Sequence, residues 1–191
     1  MEVIGVVIID KDNKLTQKMK LSFLPFYISK DSIIEIINTH LKIIHDKVKL
    51  AEIQSFRVSD DGVLSELTAT VQKLINFSYF ILTRGTEVNN KTMVGSEIYF
   101  RKVFEYIRKN YTEINTEFDL DIINDLSKFD KITILNKQLI DIKVIMVKNI
   151  EQILDRGEKL DVLIEKSKEL SDKAKLFYRE TKKVNKCCVI M

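Results

Sequence analysis

Residues Val3 to Ile9 are apolar almost without interruption and rich in β-branched side chains. That is the pattern of a central strand buried on both faces. After the polar turn Lys11-Asp12-Asn13-Lys14, Met19, Leu21 and Phe23 alternate with Lys20 and Ser22, predicting a second strand that ends near Pro25. The period then changes from two to between three and four. From Ser32, a good helix N-cap, Ile33, Ile36, Ile37, Leu41 and Ile44 recur at helical spacing, widened by Ile34 and Ile43. Ile53–Val58 predicts a third strand, closed by Asp60-Asp61-Gly62, and Leu67, Ala69 and Val71 alternating with threonines a fourth. Helix is an open alternative for these two. Phe77–Leu82 reads as a fifth strand ahead of Arg84-Gly85. A second helix is expected from about Val94 to Asn110, with Ile98, Val103, Phe104 and Ile107 inward and Tyr99 and Phe100 in packing roles. The order is ββαβββα.

Beyond residue 112 the pattern is different in kind. Residues 113–131 read as an acidic linker in which Phe118, Leu120, Ile122, Ile123 and Leu126 predict a short packed helix. From Ile132 the apolar residues fall on alternating steps of three and four. The walk visits Ile132, Leu135, Leu139, Ile142, Met146, Asn149, Ile153, Arg156, Leu160, Leu163, Ser167, Leu170, Ala174, Phe177, Thr181 and Val184, and twelve of these sixteen positions are apolar. A strict 3.5-residue repeat held this long predicts a coiled-coil helix over residues 132–185. One helix cannot bury such a seam alone, so partner helices are implied. Near its centre stands Arg156, whose guanidinium needs acceptors supplied by other helices. Ser167 is a small seam residue, and a phosphate placed there would be forced into a bundle interior.

Charge changes this picture only when it is divided. The net charge is +3. Lys131–Lys186 holds fourteen Lys and Arg against nine Asp and Glu, +5, which leaves −2 for the rest. The excess gathers in Lys173, Lys175, Arg179, Lys182, Lys183 and Lys186, a basic run suited to an anionic leaflet. Two adjacent cysteines, Cys187 and Cys188, are the only ones, so no disulfide framework is expected. Cys188-Val189-Ile190-Met191 fits a prenylation box, with the terminal Met indicating farnesyl. One prenyl chain binds membrane marginally, and Cys187 is the candidate for a second, reversible palmitoyl anchor within the tail 186–191.

Arg156-Gly157-Glu158-Lys159-Leu160-Asp161 at the seam centre, then Phe177-Tyr178, then Cys-Cys-aliphatic-Ile-Met at the end resemble an R-SNARE, and more closely the prenylated longin R-SNAREs that have no transmembrane helix. The resemblance is specific over residues 130–191 and rests on element order upstream. It implies an α+β fold class: residues 1–112 as a longin (profilin-like) domain with a five-stranded antiparallel sheet and flanking helices, followed by a SNARE helix. It also implies a function, vesicle–membrane fusion through a parallel bundle with three Q-SNARE helices. Arg156 then forms the central layer against three glutamines, and the other seam positions form the remaining layers, most of them apolar. The seam and lipid are expected to fold back on the longin domain, with Ile34, Ile36, Ile37 and Ile43 as part of the acceptor surface. The implied location is cytoplasmic, cycling to the cytoplasmic face of Golgi and endosomal or vacuolar vesicles. A lipidated coiled-coil trafficking adaptor, or an inhibitory SNARE that does not itself drive fusion, is the competing reading.

The same residues argue against other classes. Small GTPases also end in prenylation boxes, but glycines 5, 62, 85, 95 and 157 build no phosphate-binding loop. His40 and His45 are five apart and do not stack as helical metal ligands do. No catalytic constellation is apparent, so no enzyme, metal or cofactor is expected beyond covalent farnesyl and palmitoyl groups, and no nucleic acid or small-molecule substrate. No run of roughly 18 apolar residues predicts a membrane span, and the N-terminus lacks the features of a signal peptide.

Overall fold

A computed structural model of the chain describes residues 2–22, 24, 29–58, 62–84, 93–110, 120–124 and 144–187. Its strands are β1 (Glu2–Asp10), β2 (Leu15–Met19), β3 (Ile53–Arg57), β4 (Leu67–Lys73), β5 (Phe77–Arg84), β6 (Met93–Ser96) and β7 (Val144–Asn149). The helices are α1 (Lys30–Lys47), α2 (Glu97–Asn110), α3 (Leu120–Asn124), α4 (Leu160–Lys166) and α5 (Asp172–Cys187). The strands form one sheet in the order β2-β1-β5-β4-β3-β7-β6.

The unbroken apolar run of β1 is accounted for by its position. It lies between β2 and β5, antiparallel to both, and both of its faces are covered. Ile4, Val7 and Ile9 enter one core with Ile33, Ile36, Ile37, Leu41 and Ile44 of α1. Val3, Val6 and Ile8 enter a second core with Tyr99, Phe100, Val103, Phe104 and Ile107 of α2. The side chain of Asn124 in α3 closes the start of β1, accepting from the Val3 N–H at 2.7 Å and donating to its carbonyl at 2.8 Å.

The five antiparallel strands β2-β1-β5-β4-β3 and the two flanking helices are those expected for a longin-type domain. The helical alternative for β3 and β4 is set aside by continuous antiparallel pairing from Ile53↔Gln72 to Arg57↔Thr68. Several details differ. The second strand is Leu15–Met19, earlier than the alternation at Met19–Phe23 suggests. The Asp10 carboxylate accepts from the Asp12 and Lys14 N–H groups, and Asn13 takes φ 60, so this tight turn sends the chain back at Leu15. The N-cap of α1 is Ser29, not Ser32: the Ser29 Oγ accepts from the Ser32 N–H at 3.4 Å. The segment Met93–Ser96 is a strand, so α2 begins at Glu97 instead of Val94.

The largest difference concerns the seam. In this isolated chain residues 144–187 are not one helix. They run as β7, a 3-10 turn at Ile150–Ile153, α4 and α5. β7 pairs parallel to β3, Ser55↔Val147 to Arg57↔Asn149, and carries β6 on its outer edge, so the sheet has seven strands where five were expected. The cause is physical: a single apolar helix with no partner would face water. Its residues instead bury against α1 and complete the edge of the sheet. Residues 132–143 of the seam, Phe118 and Leu126 of the linker, and Cys188 lie outside the described residues.

Candidate functional site

The candidate site is the interface between α1 and the folded-back segment. Ile150 enters the α1 core at 1% exposure, on a 3-10 turn capped by Asn149, whose Oδ1 accepts from the Glu151 N–H at 2.9 Å. The chain then turns through Asp155-Arg156-Gly157-Glu158. The Glu158 N–H donates to the Asp155 carbonyl at 3.0 Å, and the Asp155 N–H donates to the Glu158 carboxylate at 2.9 Å. Gly157 takes φ +93, the left-handed region that side chains rarely adopt. Lys47, in the last turn of α1, pairs with both Asp155 and Glu158. These contacts raise the Lys47 ammonium above its usual range. The Glu158 carboxyl lies below its usual range, through the Asp155 N–H first and then Lys47. Arg156 sits between the two acids, exposed to solvent.

α4 follows with Leu160 and Ile164 buried. Ser167 ends it, half-buried, beside a cleft of about 240 Å³ shared with Thr39, Ile43, Leu163 and Glu169. Glu169 pairs with Lys42 of α1 at 2.5 Å. Leu170 is buried. Ser171 then caps α5: its Oγ accepts from the Ala174 N–H at 3.2 Å while its own N–H and O–H donate to the Glu35 carboxylate at 3.0 and 2.7 Å. Those two donors hold the Glu35 carboxyl below its ordinary range.

α5 lies across α1 with Ala174 and Tyr178 inward. Tyr178 donates its hydroxyl to Asp161 at 3.0 Å, and Lys182 pairs with the same carboxylate. Arg179 makes a two-pronged contact with Glu165, at 2.6 and 2.5 Å. Beneath Tyr178, with ring centroids 6.1 Å apart, lies His40, fully buried. Its Nδ1 donates to the Ile36 carbonyl at 2.7 Å, and its Nε2 has no hydrogen-bond partner among the described residues. Burial pushes the imidazole down to about 4, so it is neutral at pH 7.

The positions expected to form bundle layers are therefore divided. Leu160, Leu170 and Ala174 are buried against α1 and its surroundings, and Asn149, Ile153, Leu163, Ser167 and Phe177 are half-buried. Arg156 faces water. Met146 lies in β7 and Thr181 and Val184 in α5, while Ile132, Leu135, Leu139 and Ile142 are outside the described residues. Of the expected acceptor surface, Ile36 and Ile37 are wholly buried in the core shared with α4 and α5, and Ile34 and Ile43 pack at its margin. Ile145, Ile150 and Ile164, which sequence reasoning passed over, and Tyr178, singled out there only as part of the Phe177-Tyr178 motif, carry much of the docking. Their signal was present: Val144-Ile145-Met146-Val147 is a strand-like run, and these residues form an apolar set outside the 3–4 walk. Among the described residues no cluster of His, Cys, Asp and Glu forms a metal site, and no helix is long and apolar enough to cross a membrane.

Residues 131–190 match the profile of the synaptobrevin family. The relatives are more particular. The chain is 38% identical over 89 residues to the Synaptobrevin homolog YKT6 of Debaryomyces hansenii, covering 43% of this chain and 44% of that protein. It is 44% identical over 71 residues to the VAMP-like protein YKT62 of Arabidopsis thaliana, covering 37% and 36%. It is 45% identical over 67 residues to the Synaptobrevin homolog YKT6 of Saccharomyces cerevisiae, covering 35% and 34%. The chain thus aligns with less than half the length of these relatives and is homologous to the YKT6 proteins over that length.

Proposed function

We propose that this chain is an R-SNARE that acts in membrane fusion, and that the conformation described above is its closed, unassembled state. Leu160, Leu170 and Ala174 carry the argument. They are seam residues that a four-helix bundle would need, and they are buried against the longin-type domain. One set of side chains cannot fill two cores, so docking and assembly compete. Opening exposes these residues to water. Three Q-SNARE helices re-bury them, at about 0.8 kcal/mol per CH₂ group, together with the seam positions that are only half-buried here. Farnesyl on Cys188 and palmitoyl on Cys187 would anchor the chain, and no metal or cofactor enters the reading.

Mixing the unlipidated chain with three Q-SNARE helices tests this. The expected result is a complex of four chains that resists dissociation by SDS, forms slowly, and forms faster when α1 contacts are broken. Absence of any such complex with a broad set of Q-SNARE helices, even from chains truncated to residues 132–185, would overturn the reading.

A further inference from the structure

We infer that the closed state has a holding face of its own, a row of side chains one step to the side of the seam, so that closure can be weakened without altering the layers of the bundle. The inference rests on the proposed R-SNARE reading and names the residues that regulate it.

The residues that follow the seam positions Asn149, Arg156, Leu163, Leu170 and Phe177 are Ile150, Gly157, Ile164, Ser171 and Tyr178, a row spaced by seven. Ile150, Ile164 and Tyr178 are 1%, 0% and 5% exposed, whereas their seam neighbours Asn149, Leu163 and Phe177 are only half-buried. Ser171 is exposed, but its N–H and O–H both donate to Glu35 of α1. Gly157 occupies the row at the tight turn, with φ +93.

The two docked helices repeat one arrangement. α4 buries Leu160 and Ile164, and α5 buries Ala174 and Tyr178, in each case a pair four residues apart on one face. A bundle seam would use Leu160 with Leu163 and Ala174 with Phe177 instead. Steps of 100° per residue put the docked face about 50° round the helix from the bundle face. The two faces share Leu160 and Ala174 and differ in their other halves. Leu170 is the exception, a seam residue buried where the chain turns from α4 to α5.

Ile150 and Ile164 enter the core that contains Ile36, Ile37 and Leu41 of α1. Tyr178 lies on the His40 ring and donates its hydroxyl to Asp161. In a continuous helix the same row falls beside the seam, at the flank of a coiled coil and not in its layers. Its burial therefore stabilises the docked form and is given up on assembly, whereas the burial of Leu160 and Ala174 is exchanged for burial in the bundle.

The test compares full-length Ile164→Ala/Tyr178→Ala with Leu163→Ala/Phe177→Ala, which alters the seam neighbours. Amide hydrogen exchange is followed without partners. In the first variant α4 and α5 should exchange at least about tenfold faster, while β1 and β5 stay protected. Assembly with three Q-SNARE helices should quicken by a similar factor, and the finished complex should dissociate in SDS at the wild-type temperature. The second variant should change exchange far less and lower that temperature. If β1 and β5 lose protection as well, Ile164→Val carries the same test with a several-fold effect. Unchanged exchange in α4 and α5 overturns the inference, as does a complex of the first variant that dissociates as early as that of the second. A wild-type chain that never assembles sinks the SNARE reading instead, and the exchange result still decides whether this row holds the folded-back segment.

Discussion

The Lys47 ammonium of α1 lies 3.0 Å from the Glu158 carboxylate, across the turn that holds Arg156 in water. Lys47 also pairs with Asp155 on the other side of that turn. One lysine thus ties the centre of the seam to the longin-type domain. Lys47→Glu replaces two attractions with two repulsions and touches no core residue. It should raise the rate of Q-SNARE complex formation several-fold, with a thermal unfolding profile close to wild type. Glu158→Lys in the same chain should restore slow assembly. Unchanged assembly by Lys47→Glu would show that the turn is held by the neighbouring burial of Ile150 and Leu160 alone.

The buried His40 gives the docked state a pH dependence. Docked, its imidazole titrates at about 4; with α5 lifted away it returns towards its ordinary value near 6.5. The neutral form is favoured by docking, so the contribution is complete above about pH 6.5 and is lost as pH falls from there towards 4. At pH 5 the shortfall is about 2 kcal/mol, or roughly 30-fold in the ratio of docked to released chain. The charged neighbours from the packed elements are Lys182, which opposes protonation, and Asp161, which favours it. Glu35, Glu158 and Glu165 are all lowered, so their contributions are present above about pH 4.5 and begin to be lost only below it, outside the span from pH 7.5 to pH 5. Read from the distance between spin labels on Glu35→Cys and Ser171→Cys in a chain with Cys187→Ser and Cys188→Ser, the docked fraction should fall from pH 7.5 to pH 5 with His40 in place and stay level with His40→Leu. His45 is lowered as well but contacts Ser78 of β5, not α5, so His45→Gln should keep the wild-type slope. A level response in wild type would remove His40 as the sensor.

The legibility of this fold in its sequence was uneven for reasons that particular residues make plain. β1 announced itself because burial on both faces puts six apolar side chains and Gly5 into seven consecutive positions. α2 was legible in Val103, Phe104 and Ile107, a one-sided helical stripe. β2 was misplaced because an edge strand with Gln17 and Lys18 exposed carries little alternation to read. The seam carried two messages at once. Its 3–4 repeat fits the proposed packing against partner helices, while Ile145, Ile150, Ile164 and Tyr178 pack against the chain itself. Periodicity reports the first more loudly because it extends over the whole segment. The second uses short pieces separated by turns, and only the three-dimensional arrangement brings them together.

Lipid attachment is expected to need both cysteines in different ways. Cys188→Ser removes the proposed prenyl acceptor and should leave the protein wholly in the soluble fraction of cells. Cys187→Ser should still be prenylated yet reside on membranes only briefly, because one prenyl chain is a marginal anchor. Metabolic labelling with a farnesyl analogue and membrane fractionation separate the two. Membrane residence of Cys188→Ser equal to wild type would refute the anchor assignment.

Arg156 provides the sharpest separation between a fusion protein and an adaptor. Here its guanidinium is in water, on a turn that Gly157 permits with φ +93. Assembly under the proposed reading would convert that turn to helix and enclose Arg156 among three glutamines. Gly157 makes helix there less favourable by roughly 1 kcal/mol relative to alanine, so the centre stays open until partners arrive. Enclosing a guanidinium is costly without acceptors, but with them it fixes the register of the bundle. Arg156→Gln should therefore assemble yet impair fusion of reconstituted vesicles, and a Gln→Arg change in one partner should partly restore it. Arg156→Leu offers no hydrogen bond to three buried amides and should lower fusion further, although it adds apolar area. Neither substitution touches the docked contacts, so the spin-label distance between positions 35 and 171 should be unaffected in both, and the effect can be assigned to the assembled state. Full fusion activity of Arg156→Leu with unaltered partners would end the central-layer assignment and favour a coiled-coil adaptor, for which a leucine on the seam is an improvement.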